Sequence, residues 1–359
     1  MEIGLGVYSG ECLPGEGVTP TQVIADSISQ IRLAEEVGLD AAWITEHHFL
    51  PSGYVGSVLP FAAAVGAATS RITVGISVAL APIHDPVRLA EDAAFVDVLT
   101  GGRLQLGVAL GYRDIEYEGF GVRRKTRVGR TEELCRILRQ AWGPGEVDFE
   151  GRHFIRKGFG VYPKPVQPAG PPLLMGGHAP AAIDRAARLA DAFIMDGGTD
   201  SDAFGEQGHN RGLFGRVEGA VRLYREALER NGKDPEQARF YMTLGGFLHE
   251  DGPDAAWAAV SEGYMYTRRV YGDWYGLPPE TYADWYPDRM SPEEHRTRRG
   301  EILLGAPADV VPVLEKLREI AGPSLHVMFR SKYPGVPHET TCASIRLLGE
   351  VRAKLVGEA

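Results

Sequence analysis

A single α/β chain closed as a (β/α)8 barrel is the fold this sequence predicts, and three observations predict it. Short apolar runs alternate with amphipathic helical stripes from the first residues to the last, the order that builds a parallel sheet wrapped by helices. Several runs stop abruptly at polar or glycine-rich text, most plainly Ala41-Ala42-Trp43-Ile44-Thr45-Glu46-His47-His48-Phe49, and a barrel assembles its site from strand ends of this kind at one mouth. No repeat, composition break or linker divides the 359 residues, so 1–359 reads as one domain, within the size range of such barrels.

The elements follow in order. Ile3 to Val7 is the first strand, and Val23, Ile24, Ile28, Ile31, Leu33, Ala34 and Val37 give a helical stripe stopped by Gly38. The second strand ends at Glu46. Pro60 to Ala68 is a helix whose small residues let another helix approach closely, on the barrel or across a dimer interface. The third strand runs from Ile72 to Leu80, and the helix from Pro86 to Leu99 opens on a proline, where a missing N–H costs little. Leu104 to Val108 is the fourth strand, followed by Gly111-Tyr112-Arg113 and a helix from Arg130 to Trp142. Strand five is Pro172 to Met175, strand six Ala192 to Met195, strand seven Arg239 to Leu248 and strand eight Ser324 to Phe329. Helices over 180–189, up to Asn231, over 308–320 and over 340–355 complete the alternation.

Insertions are expected after strands four, six and seven. The first, at about 147–162, has hairpin composition; the second, at about 197–212, is polar and glycine-rich. The third, at about 257–299, is rich in Tyr, Trp and Arg without a clean period and reads as a lid.

Composition narrows the function. A formal net charge of -10 repels polyanions and argues against nucleic-acid or anionic-membrane partners. Three widely spaced cysteines, Cys12, Cys135 and Cys342, form neither a disulfide framework nor a CxxC metal site. With no apolar run near the ~20 residues of a membrane span and no leader-like start, a cytoplasmic protein is expected. The G-x-G-x-x-G, Walker A, G-x-S-x-G and H-E-x-x-H signatures are absent from the sequence, which removes a Rossmann nicotinamide site, NTP hydrolysis and the serine-hydrolase elbow.

The residues that carry chemistry sit at strand ends. Glu46 and His47 supply an acid–base pair, with imidazole able to move protons near neutrality. Adjacent side chains on a strand point to opposite sides, so His47 is taken as the group facing the mouth and His48 as the one satisfying buried backbone. Gly176-Gly177-His178-Ala179, leading into a helix, presents amides suited to a phosphate; the same text also serves as a plain turn. Tyr112 offers a ring and Arg113 a cation that either grips a phosphate or carboxylate or pairs with Asp114 or Glu116. The run Arg123-Arg124-Lys125 with Arg127 and Arg130 is a solvated face or a grip on an anionic cofactor tail. His84-Asp85-Pro86 and Glu91-Asp92 read as helix-start charges and packing contacts.

Taken together, these blocks resemble the bacterial luciferase-like, flavin-dependent monooxygenase superfamily. The matching text is Glu46-His47-His48-Phe49, Gly75-Ile76-Ser77-Val78 leading to His84-Asp85-Pro86, Gly101-Gly102-Arg103 with Gly107, Gly111-Tyr112-Arg113 with Phe120-Gly121, and Gly176-Gly177. The resemblance implies the same barrel, usually as a homodimer. It places Glu46 beside the isoalloxazine, makes His47 the catalytic histidine, matches Ser77-Val78 to a non-prolyl cis peptide against the ring, and matches Gly176, Gly177, His178 and Ala179 to the phosphate-binding turn. Leu110 and Ala109 stand where luciferase has a phosphate-binding arginine and a reactive cysteine, and His178-Ala179 stand where relatives often carry Ser or Thr.

The implied reaction uses reduced FMN from a separate flavin reductase, together with O2, to oxygenate a small organic substrate, with no metal. The aromatic insertion points to an apolar or aromatic substrate. Three other readings stand beside it. A deazaflavin oxidoreductase would transfer hydride; relatives of that kind resemble Asp-His at the end of strand two, where this chain has Glu46-His47. A metal-dependent barrel hydrolase would draw on His47, His84, His178, Asp196 or His249, although such barrels resemble His-x-His after strand one and this chain has Val7-Tyr8-Ser9. A flavin-binding protein without catalysis is the third.

Overall fold

The computed structural model describes residues 1–197 and 212–357. Apart from its end residues, the insertion expected at about 197–212 lies outside them.

Eight parallel strands close into a barrel. They are β1 (Glu2–Tyr8), β2 (Ala41–Ile44), β3 (Thr73–Leu80), β4 (Leu104–Ala109), β7 (Leu173–Gly176), β8 (Ala192–Asp196), β9 (Phe240–Leu248) and β11 (His326–Arg330). They pair in the order β1-β2-β3-β4-β7-β8-β9-β11, and β11 returns to β1 with Ile3 opposite Val327. A hairpin, β5 (Val147–Glu150) and β6 (Ile155–Phe159), stands outside the barrel, and β10 (Leu303–Gly305) pairs in parallel with the last residues of β9.

The helices between strands, α5 (Arg127–Trp142) and α7 (Gly212–Arg230) among them, bury one face each. In α1 (Pro20–Glu36) the buried positions Val23, Ser27, Gln30, Ile31 and Ala34 follow the helical period, and the Thr19 hydroxyl caps the Gln22 amide. α3 (Pro86–Thr100) starts at an Asp85 cap and ends at Gly101 in the left-handed conformation. Next to that glycine, Arg103 donates to the carbonyls of Gly66, Thr69, Ile72 and Thr100. It thereby ties α2 (Val58–Ala68), α3 and the start of β3 together.

The barrel interior is plugged at its N-terminal end. Trp43 is fully buried between Tyr241 and His326, donates from Nε1 to His326 Nε2 at 2.9 Å, and His326 in turn meets Glu2 at 2.8 Å. Gly75 is required beside it, because a Cβ there would lie 2.2 Å from the indole. With that end filled, the cavity lies toward the C-terminal mouth, where the strand ends carry their polar groups.

The segment 257–299 differs from its expected description. It is mostly helical: α8 (Pro253–Trp274), α9 (Pro279–Tyr282) and α10 (Pro292–Arg299). The buried stripe of α8 does repeat at helical spacing, but Gly263, Thr267 and Arg268 occupy it alongside Trp257, Val260 and Tyr264. An apolar count therefore misses the period. This stripe packs with Phe247, Met290, Ile302, Tyr333 and Val336 in a core of its own. The short helix α4 (Asp114–Gly119), the strand β10 and a cis peptide at Gly6-Val7 also had no expectation in the sequence reading.

Candidate active site

A cavity of about 350 Å³ opens at the C-terminal mouth. One wall carries Ser77 and Val78, joined by a cis peptide, with Gly111 and Tyr112 after β4. Gly176, Gly177 and His178 continue that wall, and Tyr54, Tyr271 and Arg330 complete the lining. A larger groove of about 610 Å³ lies at the other end of the strands around Arg139, Asp191 and Lys233; its Arg139–Asp191 ion pair is a surface contact, and it gathers no strand-end chemistry.

Glu46 is buried between two histidines. His84 Nε2 lies 3.0 Å from Oε1, His48 Nε2 lies 3.1 Å from the same oxygen, and the Leu80 amide donates to Oε2. The carboxylate thus ties the end of β2 to the end of β3, the strand bearing Ser77 and Val78. Burial alone would raise its pKa, but the bonds from His48 and His84, the charge of His84 and the Leu80 amide outweigh it and bring it to about 2. His84 is displaced the other way: burial would lower it, and the Glu46 carboxylate raises it above 6.5 on balance.

These shifts fix a pH dependence. A carboxyl depressed in the folded state stabilises above its unfolded pKa of 4.5 and loses that contribution as pH falls toward 2. An imidazole raised in the folded state contributes fully below 6.5 and loses it as pH rises through the raised value. Both describe one interaction and are not additive. Glu46→Gln is therefore expected to lower stability by on the order of 2–3 kcal/mol between these limits, with a smaller deficit below pH 4.5. Urea unfolding of both proteins across that range checks it.

His47 lies beyond the end of β2 and meets a different carboxylate, Glu116 of α4: Nδ1 to Oε1 is 3.0 Å. The same oxygen accepts from the His48 amide at 3.0 Å and from Arg113 at 3.0 Å. Burial works to raise the Glu116 pKa, yet the His47 contact, the His48 amide and the Arg113 charge hold it below the ordinary carboxylate value. An ionised Glu116 fixes the imidazole orientation and favours the proton on Nδ1, which leaves Nε2 for exchange. Around the ring stand Tyr54 at 4.9 Å, Tyr112 at 5.7 Å, Tyr271 at 6.3 Å and Trp274 at 4.7 Å. His47 is only 6% exposed, so one aromatic layer separates it from the cavity that Tyr54, Tyr112 and Tyr271 line.

Arg113 is turned inward. It donates to the His48 carbonyl and to Glu116, lies 4.5 Å over the Trp274 ring, and is not part of the cavity wall. Of the two readings of this residue, the structure shows the pairing with Glu116, in a buried rather than a surface setting. Its physical reason is that α4 places Glu116 one turn after Arg113, where i,i+3 side chains meet.

The turn after β7 has the features of an oxyanion cradle. Gly177 has φ 150, and a Cβ there would lie 2.5 Å from the Ala182 methyl, so the backbone alone can face a ligand. Ala179 is the N-cap of α6 (Pro180–Leu189) and supplies no side-chain cap, which leaves the positive helix start to another acceptor. A phosphate-bearing cofactor fits this turn: Gly177 and His178 amides would hold the phosphate, and Ser77, Val78 and Tyr112 would flank a planar ring.

The basic run lies elsewhere. Arg124 pairs with Asp114, and Arg130 donates to the Pro82 carbonyl over the Phe154 ring. Among the described residues no group of three or more His, Cys, Asp or Glu could hold a metal, and no described helix is long and apolar enough to cross a membrane. Sequence reasoning missed Arg330, Tyr54 and the role of Glu116. Arg330 did carry a signal: it ends the apolar run His326–Phe329 as Glu46 ends its own.

Known proteins share this architecture. The family model for luciferase-like monooxygenases matches residues 3–322. An F420-dependent glucose-6-phosphate dehydrogenase from Kineococcus radiotolerans is 31% identical over 59% of this chain and 66% of its own length. One from Nocardia farcinica is 34% identical over 48% of this chain and 53% of its own. The chain thus spans about half to two thirds of the length of these curated relatives. The monooxygenase RslO1 from Streptomyces bottropensis superposes with a TM-score of 0.77 over 100% of both chains at 22% identity. The FMN complex of the oxygenating constituent of 3,6-diketocamphane monooxygenase from Pseudomonas putida gives 0.74 at 18%, over 99% of this chain and 98% of its own. At such identities these two likenesses speak to the fold. The family model, spanning most of the sequence, does more: the chain belongs to the luciferase-like monooxygenase family.

Proposed function

We propose that this protein is the oxygenating component of a two-component system. It would take reduced FMN from a separate flavin reductase and oxygenate a small apolar or aromatic compound. The bound cofactor would supply the redox chemistry by activating O2 and delivering one oxygen atom. The protein's share is binding, orientation and proton control.

The observation that carries this reading is the continuous cavity wall from Ser77-Val78 through Tyr112 to Gly176-Gly177-His178, with His47 kept dry behind aromatic rings. The turn would hold the phosphate, and the β3 and β4 ends would support the ring. Glu46, with both oxygens engaged by His48, His84 and Leu80, acts as a positioning residue for β3. His47 would hold or release a proton at Nε2 once the Tyr271–Trp274 end of α8 shifts, and Glu116 would keep it oriented. Excluding water protects a reactive oxygen donor. Phe95, Val98 and Leu99 form an exposed apolar stripe on α3, which supports a homodimer.

Hydride transfer with a deazaflavin is the second reading, favoured by the similarity to F420-dependent dehydrogenases. Parallel anaerobic titrations with reduced FMN and with reduced deazaflavin separate the two. Tighter binding of FMN is expected; selective binding of the deazaflavin overturns the monooxygenase reading.

A further inference from the structure

The barrel order sets the two sides of the cavity in opposition. Counting around the eight strands, β11 lies four strands from β4 in either direction. The proposed cofactor wall is β3, β4 and β7, so the end of β11 faces it across the mouth. Arg330 is the last residue of β11 and lines the cavity.

This guanidinium is poorly satisfied where it stands. Its Nε is buried and finds no hydrogen-bond partner among the described residues. The polar groups acting on it are the phenols of Tyr271, Tyr54 and Tyr333 and the carboxyl of Glu11, and the Tyr333 ring centroid lies 5.7 Å from its carbon. Glu11 acts through charge rather than a hydrogen bond. Burial pushes the Glu11 carboxyl up in spite of Arg330, and its Oε2 has no hydrogen-bond partner among the described residues. A guanidinium does not escape its burial by losing a proton. An arginine that lines a cavity with a buried donor left unpaired is arranged for an external acceptor.

We propose that Arg330 binds an oxyanion of the organic substrate, so that the compound entering this site is an apolar or aromatic acid, its charged group on β11 and its reacting carbon toward β3 and β4. The assignment rests on the flavin reading for which wall the cofactor occupies, but the anion site itself does not. Tyr54 and Tyr271, hydrogen-bonded to each other at 3.1 Å, line the same cavity and suit a planar or apolar body. Carboxylates and ionised phenols share the recognising chemistry.

The test uses the full-length protein and matched probes: phenylacetate against phenylacetamide, and para-nitrophenolate against nitrobenzene. Binding is read by quenching of intrinsic fluorescence, with FMN and riboflavin affinities measured in parallel and folding checked by near-ultraviolet circular dichroism. The wild type is expected to bind at least one anion about tenfold or more tightly than its neutral partner, the scale of a charge-assisted pair. Preference in one pair alone identifies the oxyanion as carboxylate or phenolate. Arg330→Met should abolish that preference with the FMN-to-riboflavin ratio unchanged. Arg330→Lys, which keeps charge but loses the fork, should reduce it several-fold, and it carries the test if the methionine variant does not fold. Equal binding of anion and neutral partner by the wild type, or a preference unchanged in the variants, overturns the proposal. So does a variant that weakens only reduced-FMN binding, since that would assign Arg330 to the cofactor. If FMN fails to bind while the Arg330-dependent preference persists, the flavin reading falls and the anion site stands.

Discussion

A methyl group at position 177 weakens FMN binding by roughly a hundredfold and leaves riboflavin, which lacks the phosphate, nearly unaffected. Gly177 has φ 150, a conformation that disfavours any Cβ, and the added carbon would lie 2.5 Å from the Ala182 methyl. The turn must move, and with it the amides proposed to converge on the phosphate. Losing two charge-assisted hydrogen bonds accounts for the magnitude. Gly177→Ala combined with Ala182→Gly removes the contact and should recover part of the affinity. Fluorescence titration with both flavins reads the ratio directly, and equal weakening of FMN and riboflavin would show that the turn does not serve the phosphate.

His47→Ala lowers turnover by about 10²–10⁴-fold, the range of general acid–base groups, with flavin affinity retained. Glu116→Gln should lower it less, because the imidazole keeps a hydrogen-bond partner and loses only the charge that fixes its proton on Nδ1. The pair is separable from a packing role by pH: the Glu116→Gln profile should shift, whereas a merely structural loss would scale all pH values alike. Single-turnover product formation from pH 5.5 to 9 measures both.

Much of this was legible in the sequence because the barrel repeats one grammar. Apolar runs bounded by glycine or polar text located the eight strands, and the polar residue after each run located the mouth. Glu46 and His47 stood out for that reason. Their partners did not, since they are supplied from afar: Glu116 lies 69 residues beyond His47, and Trp274 comes from an insertion. The pairing of Arg113 with Glu116 was legible as an i,i+3 contact, but the Trp274 ring that covers it and makes it a buried pair was not. α8 was hidden because its buried stripe includes Thr267 and Arg268, polar residues that break an apolar count while keeping the helical period. Arg330 was visible as a strand-ending charge, but its significance lies in the strand opposite it, a property of barrel closure.

The central claim is that this protein couples reduced FMN to oxygen insertion. It is tested most directly by binding reduced FMN anaerobically, adding an aromatic acid, admitting one pulse of isotopically labelled O2, and following flavin absorbance and product mass. The account predicts a slow, oxygen-triggered return of oxidised-flavin absorbance and one labelled oxygen atom in the product. Rapid reoxidation with an unlabelled substrate, together with hydride exchange when deazaflavin replaces FMN, would contradict it.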